Sequence, residues 1–241
     1  MRFKHSLIIL FLFVLFGKFV PAWIPNFDSR ELNLLVLYAS WLFAIVAGGA
    51  LLRRSPAQYA QDLGITKPSA VSVKTMLIAL VPLVAGAIFW FSFNPEVTVT
   101  KLLVKGVAAP FMEEFYFRGF LVLLLIRLAG WHFLLAALVN SLIFGLGHWY
   151  QGHDASQALM AALVTGVGGL WFAWLSVRWG TIWPAVILHG VMNSVWYLWH
   201  VDSNAIGGQT ANLLRLTTIV LSVGLTLYYT RRQQVSNPAF A

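Results

Sequence analysis

The sequence contains no cysteine among its 241 residues. Disulfide bonds, thiolate metal sites, a cysteine nucleophile and palmitoylation are therefore excluded. Charged residues are also scarce, at 10% of the chain, against about 25% in soluble domains. Hydrophobic residues instead reach 59%, and the mean hydropathy is +0.77. This composition excludes a disordered chain, disfavours a soluble globule and predicts an all-α polytopic membrane helix bundle.

The charge balance is basic, with 16 Lys and Arg residues, 8 Asp and Glu residues and a net charge of +8. A protein this basic is a candidate for nucleic-acid binding. The basic residues are scattered along the chain, however, and form no dense stripe. We therefore predict the lipid bilayer as a partner and no nucleic acid.

Eight apolar runs are long enough to cross a bilayer, which takes about 17–25 residues. The runs are Ser6–Trp23, Leu32–Leu52, Val73–Phe93, Leu102–Ile126, Trp131–Trp149, Ser156–Val177, Thr181–Trp199 and Asn212–Tyr229. The first run also has features of a signal peptide, because Arg2 and Lys4 precede it and Val20-Pro21-Ala22 resembles a cleavage site. We favour a retained helix, because the apolar stretch resumes after Lys18.

The loops between the runs are short and contain no repeat, so the sequence predicts one integral membrane domain over residues 1–241. Its orientation follows from the basic residues, because cytoplasmic segments carry an excess of Lys and Arg. With the N-terminus inside, the inner segments hold Arg2, Lys4, Arg53, Arg54, Lys67, Lys74, Arg127, Arg178, Arg231 and Arg232, and the outer segments hold Lys18, Arg30, Lys101, Lys105 and Arg215. This excess predicts that both termini are cytoplasmic.

Three of the eight runs carry polar side chains at positions predicted to lie within the bilayer. A charge at the bilayer centre costs at least about 2.5–3.5 kcal/mol, so each such residue requires an explanation. The fourth run contains Glu113, Glu114 and Arg118, the fifth contains His148, and the seventh contains His189 and Asn193. A single intramembrane His or Asn commonly bonds a neighbouring helix. Their concentration in three helices instead indicates a functional site.

Helix geometry separates the roles of the two glutamates. Glu114 and Arg118 are four residues apart, about 40° around an α-helix, so they can form an ion pair on one face. Glu113 lies about 140° from Arg118 and cannot easily pair with it. We therefore predict that Glu114 and Arg118 brace the structure, while Glu113 faces the bundle interior as a general base.

The remaining polar residues have the spacing of a hydrogen-bonding site. His189 and Asn193 are four residues apart and share a helix face, from which they could donate to an oxyanion. His148 follows Phe144 by one turn and has no polar neighbour of this kind on its own helix. We predict that these groups hold a water beside Glu113.

These segments resemble the CPBP family of intramembrane proteases, which includes the type II CAAX prenyl endopeptidases and bacteriocin-processing or immunity-associated bacterial members. The family pattern is E-E-x-x-x-R, then F-x-x-x-H, then H-x-x-x-N or H-x-x-x-D on successive core helices. The chain has Glu113-Glu114-x-x-x-Arg118, Phe144-x-x-x-His148 and His189-x-x-x-Asn193 in the same order. The resemblance covers residues 101–200, which we interpret as a motif-bearing protease core.

The resemblance implies hydrolysis of a peptide bond within or at the membrane. Glu113 would activate water with help from His148, His189 and Asn193 would stabilise the oxyanion, and the glutamate–arginine pair would brace the site. The family includes two suggested catalytic types. We favour a metal-independent glutamate mechanism, because the chain has no H-E-x-x-H motif. The alternative is a metalloprotease in which Glu113, His148 and His189 bind zinc.

Two other functions stay open at this stage. The first is a transporter or channel whose polar pathway is lined by Glu113, Glu114 and Arg118, although the chain has no matched pair of broken helices. The second is a non-catalytic immunity or partner-binding protein, which would not need all six polar residues. For the protease, the sequence does not separate a prenylated protein, a maturing peptide and a sorting-signal peptide as substrates.

A protease site also requires the motif residues to lie at one depth in the membrane. His148 lies about 17 residues, or roughly 26 Å, above the inner start of its run, whereas His189 lies only about 8 residues, or roughly 12 Å, above its own. Straight and equally placed helices would separate the two imidazoles. We expect tilt or unequal helix starts to bring Glu113, His148, His189 and Asn193 to one small water-accessible cavity. A shared water predicts about 4–6 Å between Glu113 and His148.

Overall fold

The computed structural model describes residues 1–202 and 206–236. Within these ranges the chain forms nine helices and no β-strand, so the all-α prediction is confirmed. The helices are α1 (Arg2–Trp23), α2 (Arg30–Leu51), α3 (Pro56–Asp62), α4 (Ala70–Trp90), α5 (99–127), α6 (Phe133–Gln151, with a turn and a short 3-10 helix after Leu146), α7 (Ala155–Trp179), α8 (Trp183–Leu198) and α9 (Gln209–Ser236).

Six helices of the described ranges are long and apolar enough to cross a membrane, namely α1, α2, α4, α6, α7 and α9. The difference from the eight predicted crossings lies in α5 and α8. Helix α5 contains six charged residues, and α8 has only 16 residues, which is short for a span of about 17–25. The chain is an integral membrane helix bundle, and the count of eight crossings stays a prediction.

Side-chain caps begin several of these helices. Ser29, Ser69 and Asp154 each accept a hydrogen bond from the backbone N–H three residues further on. Helix α3 begins with a capping box, in which Ser55 and Gln58 exchange side-chain and backbone bonds. This short helix is not among the eight predicted runs, because its sequence is polar and it lies in the loop between α2 and α4.

Helix α5 departs from regular α-helical geometry. Two stretches, Leu103–Ala108 and Glu114–Leu123, are π-helical, with hydrogen bonds joining residues five apart. The second stretch begins directly after Glu113. Its wider turn corrects the angle of about 140° predicted between Glu113 and Arg118, which assumed an α-helix. Local π-helix is frequent at functional sites, and here the second stretch contains Glu114 and Arg118 of the first motif.

The loop at Gly64 sets the depth at which α8 begins. Gly64 has a φ of +71°, and its carbonyl accepts hydrogen bonds from Thr181 Oγ1 at 2.7 Å and Ile182 N at 3.0 Å. A Cβ at Gly64 would lie 2.6 Å from Leu123 Cδ1, so this approach requires glycine. Helix α8 therefore starts against the middle of the Glu114–Leu123 stretch.

The start of α8 against α5 sets the level of His189, whereas its depth relative to His148 stays a prediction. Ile182 packs beside Gly119, where a Cβ would lie 3.7 Å from Ile182 Cγ2. Gly119 precedes the C-terminal end of α5 at Arg127 by eight residues, or roughly 12 Å. This start places His189 beside Glu114, which it contacts.

Aromatic side chains fasten α1 and α2 to α5. The Tyr116 ring stacks on Phe13 at 4.6 Å and on Trp41 at 4.6 Å between ring centroids. The Tyr116 hydroxyl donates to the Phe13 carbonyl oxygen at 2.6 Å. All three side chains are buried, and stacked aromatic pairs add to the free energy of simple burial. The contact fixes the position of α2 relative to the motif-bearing helix.

Helix α9 is joined to α7 through hydroxyl groups. Trp171 Nε1 donates to Ser222 Oγ at 3.1 Å, and Trp179 Nε1 donates to Thr226 Oγ1 at 3.0 Å. Both hydroxyl residues are fully buried and lie four apart on one face of α9. A buried indole N–H requires an acceptor, so these bonds set the register of α9 against the bundle.

Candidate active site

One cavity of about 830 Å³ is lined by Glu113, His148, His189 and Asn193. These residues come from α5, the end of α6 and α8, and further walls come from α2, α7 and α9. The cavity is larger than the small cavity predicted from the sequence, and its volume is that of a ligand pocket, about 300–1,000 Å³. The four residues share one cavity, whereas its opening towards the membrane stays a prediction.

The predicted ion pair on α5 is present and fully buried. Arg118 Nη1 donates to Glu114 Oε1 at 3.1 Å, and both side chains have no exposed surface. The two residues remain neighbours within the π-helical stretch. Removing one partner of such a pair leaves an uncompensated buried charge, which is strongly destabilising. The pair is therefore a brace beneath the cavity rather than part of its lining.

The Phe144 ring connects the second motif to the first. The Arg118 guanidinium lies 4.3 Å from the Phe144 ring centroid and 5.5 Å from that of Phe172. Arg118 Nε and Nη2 make no hydrogen bond to a described residue, so these rings contribute cation–π attraction to the buried cation. Phe144 also packs edge-on against Phe117 at 5.0 Å. The Phe144 ring, one turn before His148, thus packs against the buried Arg118 cation of the first motif.

Glu113 forms part of the cavity wall. Its side chain is 22% exposed, and its Oε2 atom makes no hydrogen bond to a described residue. The distance from Oε2 to His189 Nε2 is 3.8 Å, which is beyond hydrogen-bonding distance. Glu113 Oε2 is therefore open to a ligand, whereas Glu114 Oε1 already accepts hydrogen bonds from both Arg118 and His189.

His189 lies between the two glutamates. Its Nδ1 is 2.7 Å from Glu114 Oε1, and its ring stacks on Phe172 at 5.5 Å. Because an ionised carboxylate only accepts, Nδ1 donates to Glu114. Nε2 then carries a lone pair in the neutral ring and donates only when the ring is an imidazolium. The contact with Glu114 was not predicted, since it depends on the relative depth of α5 and α8.

His148 and Asn193 are held by backbone carbonyl groups. His148 Nδ1 is 2.7 Å from the Phe144 carbonyl oxygen, and this bond leaves Nε2 as an acceptor in the neutral ring. Asn193 Nδ2 donates to the Lys105 carbonyl oxygen at 3.3 Å, which joins α8 to α5. Each side chain keeps polar capacity for a ligand. The predicted separation of about 4–6 Å between Glu113 and His148 stays a prediction.

Sequence reasoning missed two polar side chains near these motifs. Asn140 is fully buried, and its Nδ2 donates to the Gly169 carbonyl oxygen at 3.3 Å. Its position one turn before Phe144 is visible in the sequence as a four-residue repeat ending at His148. Tyr38 of α2 lines the same cavity as Glu113. No spacing signal identifies Tyr38, because it lies 75 positions before Glu113.

The alternative zinc ligands do not form a preassembled site. Among the described residues, no three His, Asp or Glu side chains are grouped closely enough to hold one metal ion. Glu113, His148 and His189 line the cavity, but His189 already donates from Nδ1 to Glu114.

Comparison with known families supports the motif analysis. Residues 95–195 match the family model described as Type II CAAX prenyl endopeptidase Rce1-like. The matched segment contains all three motifs and overlaps most of the predicted core at residues 101–200. No curated protein and no solved structure shows a significant match to the chain.

Proposed function

We propose that the chain, whose residues 95–195 match the Rce1-like family model, hydrolyses a peptide bond of a membrane-associated protein or peptide. The family indicates a CAAX-type intramembrane endopeptidase in general terms. The observation that carries the finer proposal is the single cavity lined by Glu113, His148, His189 and Asn193. Such a cavity can hold a water, a base and oxyanion donors around one reacting carbon.

Glu113 is the general base of the proposed reaction. Its carboxylate takes a proton from a water molecule while the water oxygen attacks the peptide carbonyl carbon, and the carbonyl π electrons move onto oxygen. When the tetrahedral intermediate collapses, the C–N bond breaks and Glu113 returns the proton to the leaving amine. The open hydrogen-bonding capacity of Glu113 Oε2 supports this role. His148, held by the Phe144 carbonyl, orients the water through Nε2.

His189 and Asn193 are the proposed oxyanion donors. The Asn193 amide has a second N–H beyond the one that bonds the Lys105 carbonyl. His189 is proposed to donate from Nε2 as an imidazolium, while its Nδ1 donates to Glu114. In that form the negative charges of Glu113 and Glu114 are balanced by the positive charges of Arg118 and His189. The Glu114–Arg118 pair supports the site by holding His189 at the level of Glu113.

A peptide-library experiment tests the proposed activity directly. The full-length protein, purified in detergent, should cleave a subset of membrane-associated peptides, and the library should include prenylated C-terminal peptides, maturation sites and sorting signals. The preferred class then identifies the substrate, which the family resemblance leaves open. Failure to cleave any class, with a correctly folded preparation, would contradict the proposed function.

A metal chelator should leave the cleavage rate unchanged. The proposed mechanism obtains its nucleophile from Glu113 and its oxyanion stabilisation from hydrogen-bond donors, so removal of divalent metal takes away no reacting group. The measurement is the initial rate after incubation with 1,10-phenanthroline, compared with a non-chelating phenanthroline isomer. A loss of activity that zinc restores would replace this mechanism with the metalloprotease alternative.

We also propose one membrane domain over residues 1–241, a protease core at residues 101–200 and cytoplasmic termini. Reporter fusions at Gly152 and Arg178 should then report opposite sides, with Arg178 on the cytoplasmic side. The two positions flank α7, whose 25 residues are long enough for one crossing. A fusion at Gly130 is the matched control and should report the same side as Arg178. Identical signals from Gly152 and Arg178 would contradict this topology.

A further inference from the structure

Tyr38 is a polar side chain of the catalytic cavity that lies outside all three motifs. It belongs to α2 and lines the cavity together with Glu113, His148 and Asn193. No hydrogen bond joins its hydroxyl to a described residue. The phenol thus shares the cavity of the proposed base, with its O–H group available to a ligand.

Packing restricts where the Tyr38 ring can move. The ring lies 5.6 Å from Trp41, which is one turn further along α2 and stacks on Tyr116 of α5. Trp41 also packs edge-on against Phe117 at 5.8 Å. Tyr116 and Phe117 follow Glu113 by three and four residues on the same helix. The aromatic contacts therefore couple the position of Tyr38 to the helix that carries Glu113.

The two proposed oxyanion donors are compatible with a third hydrogen-bond donor. Asn193 uses part of its amide on the Lys105 carbonyl, and His189 uses Nδ1 on Glu114. The remaining His189 nitrogen donates only in the imidazolium form. A phenol ordinarily ionises near pH 10 and carries its proton at neutral pH, so it donates whatever the state of His189.

We propose that Tyr38 is a further catalytic residue, whose hydroxyl donates a hydrogen bond to the oxyanion of the tetrahedral intermediate. The proton stays on the phenol, so no bond to hydrogen is made or broken in this step. The former carbonyl oxygen, which carries the negative charge, accepts a hydrogen bond from the O–H group. This hydrogen bond weakens again when the C–N bond breaks. This inference rests on the proposed protease function, because it names a donor for that reaction.

The test is Tyr38→Phe, which removes the hydroxyl and keeps the ring on Trp41. Loss of one oxyanion donor typically lowers kcat by about 10²–10³-fold, so we expect a fall of about 10²-fold with little change in KM. Rates are measured on a peptide that the wild-type protein cleaves and Glu113→Gln does not. A phosphinate analogue of that peptide, which carries a tetrahedral anion, should lose affinity by a similar factor.

Tyr59→Phe is the matched control. The Tyr59 hydroxyl donates to the Ile45 carbonyl oxygen at 2.8 Å within the packed interior and does not line the cavity. This variant should lower the Tm of the detergent-solubilised protein and leave kcat unchanged, whereas Tyr38→Phe should show the reverse.

The outcomes separate this inference from the function on which it rests. Wild-type kcat in Tyr38→Phe, with Glu113→Gln inactive, overturns the role of Tyr38 and leaves the protease function standing. A lower kcat with unchanged phosphinate affinity also overturns it, because the hydroxyl would then act only through structure. A wild-type protein that cleaves no peptide, or a Glu113→Gln variant that cleaves normally, overturns the proposed function and this inference together.

Discussion

Glu113→Gln is expected to abolish peptide cleavage while leaving the protein folded. The amide is nearly the same size as the carboxylate but cannot take a proton from water, and a positioned general base typically contributes about 10²–10⁴-fold to the rate. We therefore expect kcat to fall by at least about 10²-fold. Glu113 is partly exposed to the cavity and pairs with no described arginine or lysine, so the substitution leaves the buried Glu114–Arg118 pair intact. The measurement is kcat on a cleaved library peptide, together with the Tm in detergent.

Glu96→Gln provides the matched control for this experiment. Glu96 is an exposed residue of the loop between α4 and α5, outside the cavity. The same chemical change there should alter neither kcat nor Tm. Near-normal cleavage by Glu113→Gln would show that another group is the base, and would redirect the mechanism to a different residue of the cavity.

Glu114→Gln is expected to destabilise the protein strongly, in contrast to its neighbour. Arg118 is completely buried, and Glu114 Oε1 accepts from both Arg118 and His189. A neutral amide leaves the guanidinium charge uncompensated in a low-dielectric interior, which costs about 3–5 kcal/mol. Activity should fall as well, because His189 loses its charged acceptor. The measurement is the Tm in detergent and the yield of monodisperse protein.

Two further variants distinguish loss of charge balance from general disruption. Asp62→Asn removes the anion from the Arg54–Asp62 pair, whose arginine side chain is 31% exposed, and should cost no more than about 1 kcal/mol. The double variant Glu114→Gln with Arg118→Met removes both charges and should recover much of the lost stability, because an apolar replacement avoids the desolvation cost. A double variant no more stable than Glu114→Gln alone would contradict the proposal that the Glu114–Arg118 charge pair braces the site.

The membrane-bundle class and part of the site could be predicted from local features. Composition and eight apolar runs indicate a membrane bundle, because backbone polar groups in lipid require helices. The Glu114–Arg118 pair was also predictable, since residues four apart on one helix are neighbours whatever the rest of the chain does. The motif order on three helices pointed to the family that residues 95–195 match. These inferences depend on composition, short spacing and motif order.

Features that depend on the relative placement of helices could not be predicted. Helix α3, which begins with the Ser55–Gln58 capping box, was not predicted, and the loop that follows it contacts a distant part of the chain. Gly64 in that loop sets the start of α8, and this start brings His189 to Glu114. The π-helical stretch after Glu113 likewise changed an angle calculated for an α-helix. The position of His189 depends on contacts between distant segments. The angle around α5 depends on a departure from ideal α-helix geometry.

The sequence by itself determined that the chain is a membrane helix bundle and which polar groups are neighbours along one helix. Burial of a charge is costly enough that Glu113, Glu114 and Arg118 already mark a special helix. Only the tertiary structure decided that His189 lies between the two glutamates and that Tyr38 faces the same cavity. Sequence separation carries no information on the depth or rotation of one helix against another. Those two variables are set by packing, through the Gly64 loop at the start of α8 and the Trp41–Tyr116 stack between α2 and α5.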